Sequence, residues 1–145
     1  MTLGATIETI LAGHPPRQEA LLPVLHAIQN EFGHIPAEAE PAIAKRLGLS
    51  RAEVHGVISY YHHFRRTPAR HVVRVCCAEG CQANGAEQLA ARAQQHADSD
   101  VAVEPVYCLG LCASGPAVQV DETELHARVT AEKLDALLAA LKDER

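Results

Sequence analysis

Tryptophan is absent from this chain, methionine occurs once, and aromatic residues make up only 3% of its 145 residues. With 48% of the residues hydrophobic, the core has to be packed from aliphatic side chains. No apolar run approaches the roughly 20 residues that a membrane-crossing helix needs. Positive charge is in deficit: 13 Lys and Arg stand against 18 Asp and Glu, a net charge of −5, so bulk electrostatics favours neither a nucleic acid nor an acidic membrane as partner. No G-x-G-x-x-G follows a strand and no P-loop is present, so the chain is not expected to bind a nucleotide itself. There is no C-x-x-C, and dithiol exchange lacks its usual pair. Met1-Thr2-Leu3-Gly4 has no basic segment leading into an apolar core, so a secretory signal is not expected. A soluble protein of a reducing cytoplasm is the expectation.

What the chain does have is five cysteines confined to two short windows. The first is Val75-Cys76-Cys77-Ala78-Glu79-Gly80-Cys81 and the second Tyr107-Cys108-Leu109-Gly110-Leu111-Cys112, with 26 residues between Cys81 and Cys108. Thiolates are soft anionic ligands, and two loop-borne pairs supply the four that a tetrahedral metal or an iron–sulfur cluster needs. Adjacent residues of an extended chain point to opposite sides, so one of Cys76 and Cys77 is a spectator. Spacing leaves open which one, because Cys76 gives C-x4-C with Cys81 and Cys77 gives C-x3-C. Structural zinc is the poorer match, since neither pair is a C-x2-C knuckle. Disulfides would need an oxidising compartment. A two-iron cluster with four Cys ligands fits best. Gly80, Gly85, Gly110 and Gly115 crowd both windows, and a residue without a side chain lets backbone N–H groups approach sulfur closely. A helix from about Asn84 is expected to turn its positive end toward the cluster.

The surrounding pattern divides in two. Ile7, Ile10 and Leu11 predict a short helix from Thr6 to Ala12, closed by Gly13 and Pro15-Pro16. Leu21, Leu22, Leu25, Ile28 and Phe32 predict a second from Gln18 to Phe32, with Pro23 tolerated in its first turns and Gly33 as the stop. A third spans about Ala37 to Leu47, and Ser50-Arg51-Ala52-Glu53 is a capping box opening a fourth. Arg65-Arg66-Thr67-Pro68-Ala69-Arg70 marks a boundary. Beyond it, His71 to Cys76 predicts a buried strand, Asn84 to His96 a helix, Val101 to Tyr107 a second strand, and Ala117 to Val129 a hairpin about an acidic turn at 121–124. Thr130 caps a last helix with Leu134, Leu137, Leu138 and Leu141 inward. The fold class is α+β overall: a helical bundle over residues 1–66, then a small α/β domain over 71–145 whose element order suits a four-stranded thioredoxin-like sheet.

These residues resemble the thioredoxin-like [2Fe-2S] subunits of NAD-linked oxidoreductases, a family that includes the small flavoprotein-associated subunit of respiratory complex I, the gamma subunit of NAD-dependent formate dehydrogenase and the equivalent subunit of NAD-reducing hydrogenases. The resemblance spans nearly the whole chain: Leu21-Leu22-Pro23-Val24-Leu25-His26, Phe32-Gly33-His34-Ile35-Pro36, Leu47-Gly48-Leu49-Ser50, and Cys108-Leu109-Gly110-Leu111-Cys112-Ala113-Ser114-Gly115-Pro116. It implies Cys76, Cys81, Cys108 and Cys112 as ligands of one [2Fe-2S] cluster, with Cys77 the spectator and no catalytic residue on this chain. It further implies electron transfer with an FMN- and NAD(H)-binding flavoprotein partner on which the helical half and part of the thioredoxin-like face dock. Within the family, Cys76-Cys77-Ala78-Glu79-Gly80-Cys81-Gln82 is most similar to formate dehydrogenase gamma subunits. That likeness implies a molybdenum-containing subunit in the complete complex. Tyr60-Tyr61-His62-His63-Phe64 departs from the family, which more often has a Phe-Tyr pair.

Two rival readings rest on other segments. Ile43 to Ile58 has the pattern of a helix-turn-helix, which beside a cluster suggests an iron–sulfur regulator, but the second helix offers Arg51, Glu53 and His55, thin for groove binding. His62 and His63 among the nine histidines suggest a second metal, yet neighbours on a helix diverge by about 100°.

Overall fold

The computed structural model describes residues 2–143, so Met1, Glu144 and Arg145, the ends of the two expected domains, lie outside it. The chain forms two compact units that divide between Pro68 and Ala69.

The first unit is helical. Helix α1 (Leu3–Ala12) begins three residues before the apolar pattern predicts, because Thr2 caps it: the Ala5 N–H donates to Thr2 Oγ1 at 3.4 Å. A 3₁₀ turn at Gln18–Ala20 leads into α2 (Leu21–Phe32), whose Pro23 sits in the first turn, where a missing N–H breaks no helical bond. Gly33 ends it at φ 72° and Gly48 ends α3 (Ala39–Leu47) at φ 68°, both left-handed positions that a Cβ would strain. Helix α4 (Arg51–Tyr60) opens on a complete capping box: the Glu53 N–H donates to Ser50 Oγ at 3.2 Å and the Ser50 N–H to Glu53 Oε2 at 2.8 Å. The Ser50 hydroxyl and then its backbone N–H hold the Glu53 carboxyl below its ordinary range.

The core of this unit is aliphatic: Ile7, Leu11, Val24, Leu25, Ile28, Ile35, Ile43, Val54 and Ile58, closed by Phe64. Each such side chain contributes about 1.5–3 kcal/mol by leaving water. Two polar groups share that interior. Gln29, 3% exposed, donates from Nε2 to the His63 carbonyl and accepts at Oε1 from the Arg65 N–H, both at 2.7 Å, so one amide side chain pairs a stretch of loop as a strand would. Glu40 is buried against Arg66.

The second unit is a four-stranded sheet of order β2-β1-β3-β4, in which β1 is His71–Cys76, β2 Val101–Val106, β3 Val118–Val120 and β4 Glu124–His126. β1 pairs with β2 in parallel and with β3 antiparallel. Pro105, which has no N–H to donate, lies on the edge strand β2. Val73, Val75, Val118 and Val120 pack against Leu89 and Ala93 of α6 (Ala86–His96) and Leu134 and Leu138 of α7 (Ala131–Asp143). Thr130 caps α7, accepting from the Lys133 N–H at 3.2 Å. Arg92 of α6 grips Asp135 of α7 through Nε and Nη2, at 2.9 and 2.6 Å. Its side chain lowers the Asp135 carboxyl and is itself raised. The hairpin turn is one residue shorter than the sequence predicts: Val120 pairs with Glu124, and Asp121 and Glu122 take left-handed backbone at φ 49° and 67° within the three-residue turn 121–123. Arg74, 7% exposed in the central strand, is satisfied by Glu104, Gln119 and Glu122.

The helix predicted from about Asn84 differs. Cys81 lies inside a separate short turn, α5 (Glu79–Gln82), and Gly85 at φ 87° breaks the chain before α6 begins at Ala86.

Candidate metal centre

Parallel pairing brings the two cysteine windows together. The register Val75↔Pro105 and Cys76↔Val106 ends β1 and β2 at the same level, and the Cys77 N–H extends the pairing to the Val106 carbonyl at 2.7 Å. From the other side the Cys76 N–H donates to the Ala117 carbonyl at 3.0 Å, which brings the entry to β3 alongside. The segments 77–82 and 107–117 therefore leave or enter the sheet at one end, the carboxyl end of the parallel pair, where open sheets hold their ligands.

The four thiols sit there as two pairs. Cys76 and Cys81 pack in one buried cluster, each only 1% exposed. Cys108 Sγ and Cys112 Sγ are 3.8 Å apart, and both residues are exposed. Cys76 and Cys112 both raise the Cys81 thiol, which places the pairs within electrostatic reach of each other. Cys77 is placed differently: its Sγ bonds the Val75 carbonyl of its own strand at 3.4 Å.

Backbone donors aim at these sulfurs. Burial pushes the Cys76 thiol up, but the Ala78 N–H, the Cys81 side chain and the N–H groups of Leu109 and Cys108 outweigh it, and its pKa falls below the ordinary thiol value. Cys81 is raised, by burial first, despite a bond from the Ala117 N–H, and Cys112 is raised first by Cys108. Burial and then Cys76 and Glu87 raise Cys77. The Gly110 N–H donates to Cys108 Sγ at 3.4 Å. Cys108 itself has φ 115°, strained for a residue with a Cβ. That conformation has one residue send its N–H toward Cys76 while its thiol pairs with Cys112.

A two-iron cluster is anionic and takes two thiolates at each iron. Two facing thiol pairs with amide donors directed at sulfur fit that group. The glycine after the second window fits it as well: a Cβ on Gly115 would stand 3.2 Å from Cys81 Sγ, whereas one on Gly80 would meet Cys112 Cβ at an ordinary 3.6 Å. Among the described residues no three His, Cys, Asp or Glu converge as a cage for a single ion. Cys76, Cys81, Cys108 and Cys112, the residues expected as ligands, lie at the same end of the sheet.

Sequence reasoning found the cysteines but missed their partners. Nothing in the residue types of Ala78, Leu109 and Ala117 marks them, because a backbone N–H is common to all residues. Left-handed backbone at a cysteine likewise has no sequence signal. The helix start expected to face the centre is replaced, in the donors found, by these loop amides.

The family model described as thioredoxin-like [2Fe-2S] ferredoxin matches residues 7–142. NADH-quinone oxidoreductase subunit 2 of Thermus thermophilus is 32% identical over 148 residues, covering 94% of this chain and 82% of that one. An NADH-quinone oxidoreductase subunit of Rhizobium meliloti is 30% identical over 152 residues, covering 98% and 90%. In fold, the chain superposes on part of a crystallised NAD+-reducing [NiFe]-hydrogenase with a TM-score of 0.69 at 22% identity, over 86% of this chain and 23% of that one.

Proposed function

Because the chain belongs to the thioredoxin-like [2Fe-2S] ferredoxin family, we propose that it is the electron-transfer subunit of a cytoplasmic NAD-linked oxidoreductase, with Cys76, Cys81, Cys108 and Cys112 as the four cluster ligands. The observation that carries the reading is the meeting of two thiol pairs at one end of the sheet, with N–H donors directed at Cys76. When bound there, a [2Fe-2S] cluster supplies one-electron exchange. The protein's residues do the rest. Cys76 and Cys81 hold the inner side away from water, while Cys108 and Cys112 present the outer side to a partner. The amides of Ala78, Cys108 and Leu109 favour negative charge on the Cys76 sulfur.

The partner is an FMN- and NAD(H)-binding flavoprotein, which exchanges hydride two electrons at a time and needs a one-electron acceptor beside it. An aromatic surface on the helical unit supports docking: Tyr60 is 75% exposed, and its ring meets that of the half-exposed Tyr61 at 5.1 Å. The parent complex we infer is an NAD-dependent formate dehydrogenase with a molybdenum-containing subunit, on the strength of Cys76-Cys77-Ala78-Glu79-Gly80-Cys81-Gln82. A second reading, the equivalent subunit of a respiratory NADH dehydrogenase, is favoured by the names of the two relatives. Co-expression with candidate flavoproteins tests the partner. The reading expects co-purification with one of them and no NADH oxidation by this chain alone; NADH oxidation by the purified chain would overturn it.

A further inference from the structure

Gly115 follows the 3₁₀ turn Cys112–Ser114, in extended backbone at φ −69° and ψ 164° that any residue adopts. Conformation therefore does not call for glycine here, unlike Gly33 or Gly48. Space does. A Cβ built on Gly115 would lie 3.2 Å from Cys81 Sγ, 3.5 Å from Cys81 Cα and 3.6 Å from the Cys112 carbonyl oxygen, so the neighbour closest to position 115 is the buried sulfur itself. Gly80 differs: its Cβ would meet only Cys112 Cβ, at an ordinary 3.6 Å, and it serves as the control position.

We propose that Gly115 is a positioning residue for Cys81, and that any side chain at 115 acts on the centre through the Cys81 sulfur. The inference rests on Cys81 being a ligand. A methyl group there has to displace Cys81 Sγ by a few tenths of an ångström. A serine adds a hydroxyl beside the same sulfur. An O–H···S bond stabilises the more negative, reduced state and so raises the potential.

The test compares Gly115→Ala, Gly115→Ser and Gly80→Ala with the wild-type chain, by iron and acid-labile sulfide content, the EPR g-values of the reduced state and the midpoint potential from an EPR-monitored titration. Expected are a potential shifted upward in Gly115→Ser, altered g-values without that rise in Gly115→Ala, and a wild-type signature in Gly80→Ala. If Gly115→Ser does not hold its iron, changed g-values in Gly115→Ala beside an unchanged Gly80→Ala still uphold the contact. Two variants at 115 with full iron, wild-type g-values and wild-type potential would overturn the proposal and leave the ligand assignment standing. A downward shift in Gly115→Ser would overturn the hydrogen-bond argument. Wild-type protein that holds no iron and sulfide would overturn the ligand assignment, and this proposal with it.

Discussion

Replacing Gln29 by leucine separates packing from polar pairing in the helical unit. The side chain is 3% exposed and makes two 2.7 Å bonds, to the His63 carbonyl and from the Arg65 N–H. Leucine is close in volume and fills the space, but it deprives both part-buried backbone groups of this bond. Each group deprived of this bond costs about 1–3 kcal/mol, and leucine's greater apolar burial returns about 1, so the net loss is about 1–5 kcal/mol. Gln29→Glu keeps the acceptor for Arg65 and sets a carboxylate against the His63 carbonyl, so it is destabilised at neutral pH and recovers as acid protonates it. Urea unfolding of the full chain followed by circular dichroism gives the loss, and hydrogen exchange at the Arg65 amide locates it. A loss below about 0.5 kcal/mol with the Arg65 amide still protected would refute the reasoning, because the unpaired groups would then have found other partners.

Cys77→Ser removes only a thiol bonded to its own strand, and its iron content should match wild type, whereas Cys76→Ser should lose the centre; the reverse result would reassign the ligand. Arg92→Ala removes the ion pair that depresses Asp135. A depressed folded pKa contributes stability above the unfolded value and loses it as pH falls through the folded one, so the variant should be less stable at neutral pH and converge with wild type in acid. A gap that does not change with pH between 7 and 3 would mean that Arg92 acts through packing.

How much was legible in the sequence follows from which groups do the work. The helices of the first unit and their stops were readable because side-chain period and left-handed glycines are sequence properties, as at Leu25, Ile28 and Gly33. The sheet was readable from the β-branched run Val72-Val73 and Val75, and the acidic turn from Asp121-Glu122. The cysteine windows announced themselves by spacing, but their meeting depends on a parallel register that no local pattern encodes. The start of α6 was missed because Gly85 ends one turn before another begins, and the periodicity of Leu89 and Ala93 does not say where the first turn lies. Gln29 reads as an ordinary polar residue on a helix until the loop at 63–65 folds over it.

The most direct test of the account is the iron and acid-labile sulfide content of anaerobically purified chain, taken with its EPR spectrum before and after dithionite. Two irons and two sulfides per chain, silent when oxidised and giving a one-electron signal when reduced, are expected of four thiolates arranged as two pairs. One zinc per chain with no signal in either state would contradict the account and leave these cysteines a structural metal site.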